Sequence, residues 1–140
     1  MARHVMHLKP RWADMDAYGH VNNVTWLEYL QEARVNLFFV HAPQRGTDRL
    51  VEGVVVARAE IDYLRPLVFR PDPVRIEMWV STVGVAAFTV DYEVLDAHAD
   101  GSRTLYAKAA TVLVPVTLGN GRPRRLTEQE RTVLAALADG

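Results

Sequence analysis

The chain has 140 residues and a net charge of -1, with 16 Lys and Arg against 17 Asp and Glu, a balance that argues against nucleic-acid binding driven by bulk charge. It contains no cysteine, which excludes disulfides, thiolate nucleophiles and zinc–cysteine sites. We expect a single domain with one core and, because the sequence shows neither a signal peptide nor a membrane-spanning run, a cytoplasmic protein without a membrane partner.

The first third of the chain predicts a strand, a polar segment and a helix, in that order. Residues 3–12 alternate loosely between apolar and polar side chains, which is typical of a β-strand. A polar segment follows at 14–23 and leads directly into apolar side chains at helical spacing. That spacing predicts one helix of about 16 to 18 residues, capped by Asn22 or Asn23 and ending near 41–43.

Beyond residue 50 the hydrophobic period changes to two, which predicts β-strands. We interpret these strands as an antiparallel meander of four, because turn-forming residues separate each strand from the next. The predicted strands lie between residues 50 and 66 and at 74–80, 88–94 and 103–116.

The C-terminal end predicts a short second helix. Thr127 and Glu130 form an S/T-x-x-E capping box, which predicts a helix from Thr127 to about Ala138.

One long helix beside a run of antiparallel strands indicates the α+β class, with a five-stranded sheet curling around that helix. Because such a sheet leaves its edge strands unpaired, we expect sheet extension into a homodimer or a homotetramer.

The polar segment at 14–23 contains two aspartates, a glycine, a histidine and two asparagines at the start of the predicted helix. A structural interpretation is available, since aspartates at a helix entrance often satisfy backbone donors. A calcium loop is a second interpretation, because Asp14, Asp16 and Gly19 match the spacing D-x-D-x-x-G. Tyr18 and Thr25 stand at the fifth and twelfth positions, where oxygen ligands belong, so we expect no metal site.

A catalytic interpretation explains more of these polar groups at once. Without a cysteine or a G-x-S-x-G elbow, the best candidate for a nucleophile or general base is a carboxylate. Asp14 and Asp16 are two apart and would point the same way in an extended chain. His20 has an alternative as a packed or solvent-facing histidine, but its place beside the helix start favours contact with substrate or with Asp16. The unpaired N–H groups at a helix start can polarise a carbonyl oxygen.

Two stretches resemble motifs of the hotdog-fold acyl-CoA thioesterases of the 4-hydroxybenzoyl-CoA thioesterase type. They are RWADMDAYGHVNNVTWLEYLQEAR at 11–34 and ARAEIDYLRPL at 57–67. The resemblance covers nearly the whole chain and implies a single hotdog thioesterase domain over residues 1–140, with a curved antiparallel five-stranded sheet wrapped around one long central helix. It also implies an enzyme that hydrolyses acyl-CoA to free acid and CoA without a cofactor, with active sites at the interface of two subunits.

The resemblance also implies roles for individual residues. Asp16 would be the catalytic carboxylate, acting as nucleophile or as base for water, and the backbone N–H near Asn23 would polarise the thioester carbonyl. His20 would complete the catalytic group, with Asp14 in a supporting role. The implied substrate-binding residues are Tyr18, Asn22, Glu60 and Tyr63, with Glu60 and Tyr63 facing the partner's site or bracing the helix.

The phosphates of CoA require cations near the mouth of the site. Arg65 is a candidate, and the other candidates are Arg58, Arg70, Arg122, Arg124 and Arg125.

Two other functions remain open from the sequence. A hotdog enoyl-CoA hydratase or dehydratase also places acidic and histidine side chains around this helix, and a non-catalytic acyl-CoA binding module would need no carboxylate there. The length and type of the acyl group, and the choice between CoA and a carrier-protein thioester, are equally open.

Overall fold

The computed structural model describes residues 3–41 and 53–139. Five antiparallel strands form one sheet: β1 (His4–Leu8), β2 (Val54–Tyr63), β3 (Val74–Val83), β4 (Phe88–Ala97) and β5 (Arg103–Pro115). The helices are α1 (Asn23–Val35) and α2 (Glu128–Ala136), and two shorter helical segments are a 3₁₀ turn (Trp12–Asp14) and a π-helical stretch (Asn36–His41) that follows α1 directly. The predicted α+β class and the predicted elements are therefore confirmed.

The strand order in the sheet is β1-β3-β4-β5-β2. Strands β3, β4 and β5 form the predicted meander, but the prediction that β2 begins it is wrong, because β2 pairs with β5 at the far edge. The connector at 64–73 has three prolines, which cannot donate hydrogen bonds to a strand ladder. It therefore leaves the sheet, and the Leu67 C=O accepts a hydrogen bond from the Val21 N–H (2.8 Å) on the polar loop.

Helix α1 belongs to the hydrophobic core, together with one face of the sheet. Its buried side chains recur at the spacing of one helical face: Trp26, Tyr29, Leu30 and Ala33. The strand side chains in the same core include Ile76, Met78, Val90, Tyr92 and Leu113. The sheet thus covers the apolar face of α1 and leaves the start of the helix at the rim.

Local signals set the helix boundaries. The Asn22 side chain accepts a hydrogen bond from the Val24 N–H (2.8 Å), so Asn22, one of the two predicted caps, begins α1. The capping box of Thr127 and Glu130 is confirmed at α2, where the Arg124 guanidinium also binds the Glu130 carboxylate (2.8 and 2.9 Å). The loop predicted after the long helix, at 43–49, lies outside the described residues.

Strand β2 is an edge strand with little cover. Eight of its ten residues are exposed, including Val55 and Val56 at 49% and 45%. An exposed edge with apolar side chains offers unpaired backbone groups to another strand.

Neither helix in the described ranges is long and apolar enough to cross a membrane.

Candidate active site

The polar segment folds into a compact loop that leads directly into α1. Met15 and Val21 pair across the loop, and the Asp16 N–H donates to the His20 C=O (3.0 Å). The turn closes with the Gly19 N–H donating to the Asp16 C=O (3.0 Å). Gly19 has a φ of 84°, a left-handed conformation that side chains disfavour, so glycine suits this position.

Asp14 anchors this loop to α1 and lines a different pocket from Asp16, together with Arg11 and Tyr29. Its buried carboxylate accepts hydrogen bonds from the Tyr29 hydroxyl (2.6 Å) and from the Arg11 backbone N–H (2.9 Å) and guanidinium (2.9 and 3.1 Å). Burial would raise the pKa of Asp14, but the hydrogen bonds from Tyr29 and Arg11 outweigh it and hold that pKa below its ordinary value.

The expectation that Asp14 and Asp16 point the same way is wrong. Asp14 ends a 3₁₀ turn, so the chain between the two residues is not a regular extended strand. Asp16 is half-buried and lines the cleft at the start of α1. Its Oδ1 accepts a hydrogen bond from the Tyr18 N–H (2.9 Å), whereas its Oδ2 has no hydrogen-bond partner in the part of the chain that the structure describes. One oxygen thus orients the carboxylate and the other is available to react.

The first turn of α1 offers backbone donors to the same cleft. The Val24 N–H is taken by the Asn22 side chain, and the Trp26 N–H by the Asn22 C=O (3.1 Å). No acceptor within 3–41 or 53–139 takes the Asn23 N–H, and Asn23 lines the cleft. An unpaired N–H at the positive end of a helix dipole suits a partly negative oxygen.

The cleft has a volume of about 420 Å³ and lies between the polar loop, the start of α1 and the end of β2. It is lined by Asp16, His20, Val21, Asn23, Trp26, Tyr63, Leu64, Arg65 and Pro66. The structure therefore brings together five residues that the sequence singled out, two from the loop, one from α1 and two from the second motif.

Tyr63 joins the sheet to the helix start inside this cleft. Its hydroxyl donates to the Asn23 C=O (3.2 Å), and its ring packs edge-on against Trp26 with centroids 6.4 Å apart. A side chain from β2 therefore holds Asn23, which lines the cleft and whose N–H has no acceptor among the described residues.

Three residues implied as substrate-binding do not line this cleft. Tyr18 is 85% exposed and stacks against His20 (6.4 Å between centroids), and the Asn22 side chain is committed to capping α1. Glu60 forms an ion pair with Arg58 and lines a different groove, together with Trp79. Glu60 and Tyr63 are three apart, so in a strand they point to opposite faces.

Among the candidate phosphate-binding cations, Arg65 lines the cleft, is exposed and forms no ion pair with any described residue. Three of the others are held in ion pairs: Arg58 with Glu60, Arg70 with Asp96, and Arg124 with Glu130.

Sequence reasoning missed most of the apolar wall of the cleft. Trp26, Val21, Leu64 and Pro66 supply it. Val21, Leu64 and Pro66 carry no signal in the sequence, whereas the sequence predicts Trp26 on the apolar helix face and as one of the residues whose packing sets the pocket depth. The position of Trp26 one turn after Asn23 is the signal that relates it to the site, since residues one turn apart share a face.

A five-stranded antiparallel sheet curved around one long helix, with a polar loop and a cleft at the start of that helix, defines a hotdog fold with a candidate hydrolytic site. The model of the thioesterase-like superfamily matches residues 10–137, and the chain belongs to that family.

Individual relatives agree with this assignment. The chain is 30% identical over 124 residues to the uncharacterized protein YsmA of Bacillus subtilis (strain 168), a match that covers 89% of this chain and 80% of the relative. A thioesterase from Thermus thermophilus, solved in complex with coenzyme A and Zn, is 36% identical, with a TM-score of 0.74 over 95% of this chain and 92% of that chain. A predicted thioesterase from Bacillus stearothermophilus, at 24% identity, has a TM-score of 0.80 over 99% and 98% of the two chains and shows the same fold.

A group of metal-ligating side chains is absent from the described part of this chain. No three His, Asp or Glu side chains there are grouped so that they could hold a metal ion.

Proposed function

We propose that this protein hydrolyses acyl-CoA thioesters to a free acid and CoA, and that its 140 residues act as one thioesterase domain. The observation that carries the proposal is that Asp16 and Asn23 line the same cleft. Among the described residues, one carboxylate oxygen of Asp16 and the backbone N–H of Asn23 have no hydrogen-bond partner. Thioester hydrolysis needs both groups, one to deliver a nucleophile and one to stabilise the oxygen that becomes negative.

In the proposed mechanism the thioester carbonyl oxygen accepts a hydrogen bond from the Asn23 N–H. Asp16 then acts in one of two ways. As a base, it takes a proton from water, the hydroxide attacks the carbonyl carbon, the C–S bond breaks, and the proton passes to the departing CoA thiolate. As a nucleophile, it forms a mixed anhydride as the thiolate leaves, and water then hydrolyses the anhydride. A fixed donor of this kind typically contributes roughly 10²- to 10³-fold in rate.

His20 and Arg65 have proposed roles beside these two groups. His20 lines the cleft with Asp16, where its ring can hydrogen-bond the attacking water or the substrate. The exposed guanidinium of Arg65 suits a CoA phosphate at the mouth of the cleft. Tyr18 is exposed and stacks on His20, and it is proposed to contact a part of the substrate that lies outside the cleft.

A panel of acyl-CoA substrates with a thiol-detecting reagent tests the proposal. We expect release of one thiol per thioester consumed on at least one acyl class. Binding without thiol release on every member would contradict hydrolysis, and loss of enoyl-CoA absorbance without thiol release would indicate hydration instead.

Tyr63→Phe is expected to lower kcat about 3- to 10-fold with little change in KM, because a hydrogen bond is worth about 1 kcal/mol and this one holds Asn23 in place. Steady-state thiol release measures it. Tyr106→Phe is the matched control, since its hydroxyl binds Asp96 outside the cleft. Equal kcat values for Tyr63→Phe and the unmodified protein would contradict a positioning role.

We propose that two copies pair through β2. Light scattering at micromolar concentration should give two or four times the 15.8 kDa chain mass. Val56→Lys should weaken this association by on the order of tenfold or more, because charge on an edge strand opposes pairing. Val85→Lys is the control, at a valine that is 61% exposed and lies outside the strands. A monomer in the unmodified protein would refute the pairing.

A further inference from the structure

Trp26 forms an inner wall of the cleft. It is 3% exposed, yet it lines the cleft together with Asp16 and Asn23. Its ring contacts two tyrosine rings edge-on, with centroids 5.8 Å from Tyr29 and 6.4 Å from Tyr63. These contacts stabilise the observed orientation of the indole, because edge-on aromatic pairs are favourable.

The indole N–H of Trp26 has no acceptor among the described residues. The Trp26 side chain packs in the hydrophobic core and contacts the rings of Tyr29 and Tyr63, but it forms no hydrogen bond within 3–41 and 53–139. A buried donor without an acceptor destabilises the folded protein, and buried tryptophans usually find an acceptor. Because Trp26 lines the cleft, a molecule bound there can supply the missing acceptor.

The Trp26 indole N–H is a polar group in an otherwise apolar part of the cleft wall. The rest of the nearby wall is apolar, from Val21, Leu64 and Pro66, and the Tyr63 hydroxyl already donates to the Asn23 C=O. Trp26 follows Asn23 by three residues, about 4.5 Å along the helix axis. An acyl chain that runs from the Asn23 N–H along the helix towards Trp26 would pass the indole a few atoms beyond its carbonyl.

We propose that Trp26 determines acyl specificity: its indole N–H donates a hydrogen bond to an oxygen near C3 of the bound acyl group, so that 3-oxoacyl and 3-hydroxyacyl thioesters are preferred over plain alkyl ones. This inference rests on the proposed thioesterase function. It adds a substrate class, since a site with a buried polar group discriminates against a ligand that leaves the group unpaired.

The test compares hexanoyl-CoA with 3-oxohexanoyl-CoA and 3-hydroxyhexanoyl-CoA. The unmodified protein should prefer the oxygenated thioesters by on the order of tenfold in kcat/KM, the size of one hydrogen bond to a buried donor. Trp26→Phe keeps an aromatic wall without the N–H, so the ratio of kcat/KM for the oxygenated thioesters to kcat/KM for hexanoyl-CoA should fall to about one, whatever the change in absolute turnover. Trp12→Phe is the control, because Trp12 is 75% exposed and outside the cleft.

A second measurement does not depend on turnover. The chain has three tryptophans, so its ¹⁵N-labelled indoles give three signals, and the one missing from Trp26→Phe belongs to Trp26. The Asp16→Asn variant is used because it should bind a thioester without hydrolysing it. In this variant, 3-oxohexanoyl-CoA should shift the Trp26 signal more than hexanoyl-CoA does.

The outcomes separate the two proposals. Hydrolysis of all three thioesters with equal kcat/KM and equal indole shifts would overturn the role of Trp26 and leave the thioesterase function standing. A selective indole shift without thiol release from any thioester would contradict hydrolysis and support the role of Trp26 in binding. If no thioester moved the Trp26 signal, the role of Trp26 would be overturned.

Discussion

Asp16→Asn is expected to lower kcat for thioester hydrolysis by roughly 10²- to 10⁴-fold, the contribution of a positioned carboxylate base or nucleophile. Asparagine has nearly the same shape, and its side-chain oxygen can still accept the hydrogen bond from the Tyr18 N–H. The loop should therefore keep its structure while the reactive carboxylate is lost. Thiol release measures kcat, and thermal unfolding shows whether the fold is retained.

Asp72→Asn is the matched control for this experiment. It makes the same chemical change at an exposed carboxylate that does not line the cleft, so kcat should stay within about twofold of the unmodified protein. Undiminished hydrolysis by a folded Asp16→Asn protein would remove Asp16 from the mechanism and leave His20, which also lines the cleft, as the candidate general base.

Asp14→Ala is expected to lower the free energy of unfolding by about 2–4 kcal/mol, because it leaves a buried tyrosine hydroxyl and an arginine without their acceptor. Tyr29→Phe removes a single hydrogen bond and should cost about 1 kcal/mol. Denaturant unfolding at one fixed protein concentration gives both values, since self-association would make stability depend on concentration. A loss below about 1 kcal/mol in Asp14→Ala would show that the network does not anchor the loop.

The same network predicts a pH dependence. The pKa of Asp14 is lowered in the folded protein, so its contribution to stability is fully present above the unfolded pKa of about 4. That contribution is lost as the pH falls from there through the folded pKa. Asp14→Ala should therefore lose less stability than the unmodified protein between about pH 5 and pH 2. Asp96 and Glu130 also have lowered pKa values and keep part of the acid sensitivity in both proteins.

Much of this fold follows from local patterns. The change from helical to alternating spacing marks where α1 gives way to strands, and two side-chain caps, Asn22 and Thr127, mark where the helices begin. These signals are readable because each depends on residues within one turn or one strand of each other. The polar segment was readable for the same reason, since its reactive groups are close in sequence.

Tertiary structure alone decided the rest. Local alternation is the same whether β2 pairs with β3 or β5, so the strand order depended on a connector that leaves the sheet at its prolines. Two aspartates of one motif acquired different environments, because Tyr29 and Arg11 bind Asp14 and leave Asp16 to the cleft. The packing of Trp26 in the cleft depends on β2, which brings the Tyr63 ring against the indole. Contacts between residues distant in sequence depend on packing, which periodicity does not encode.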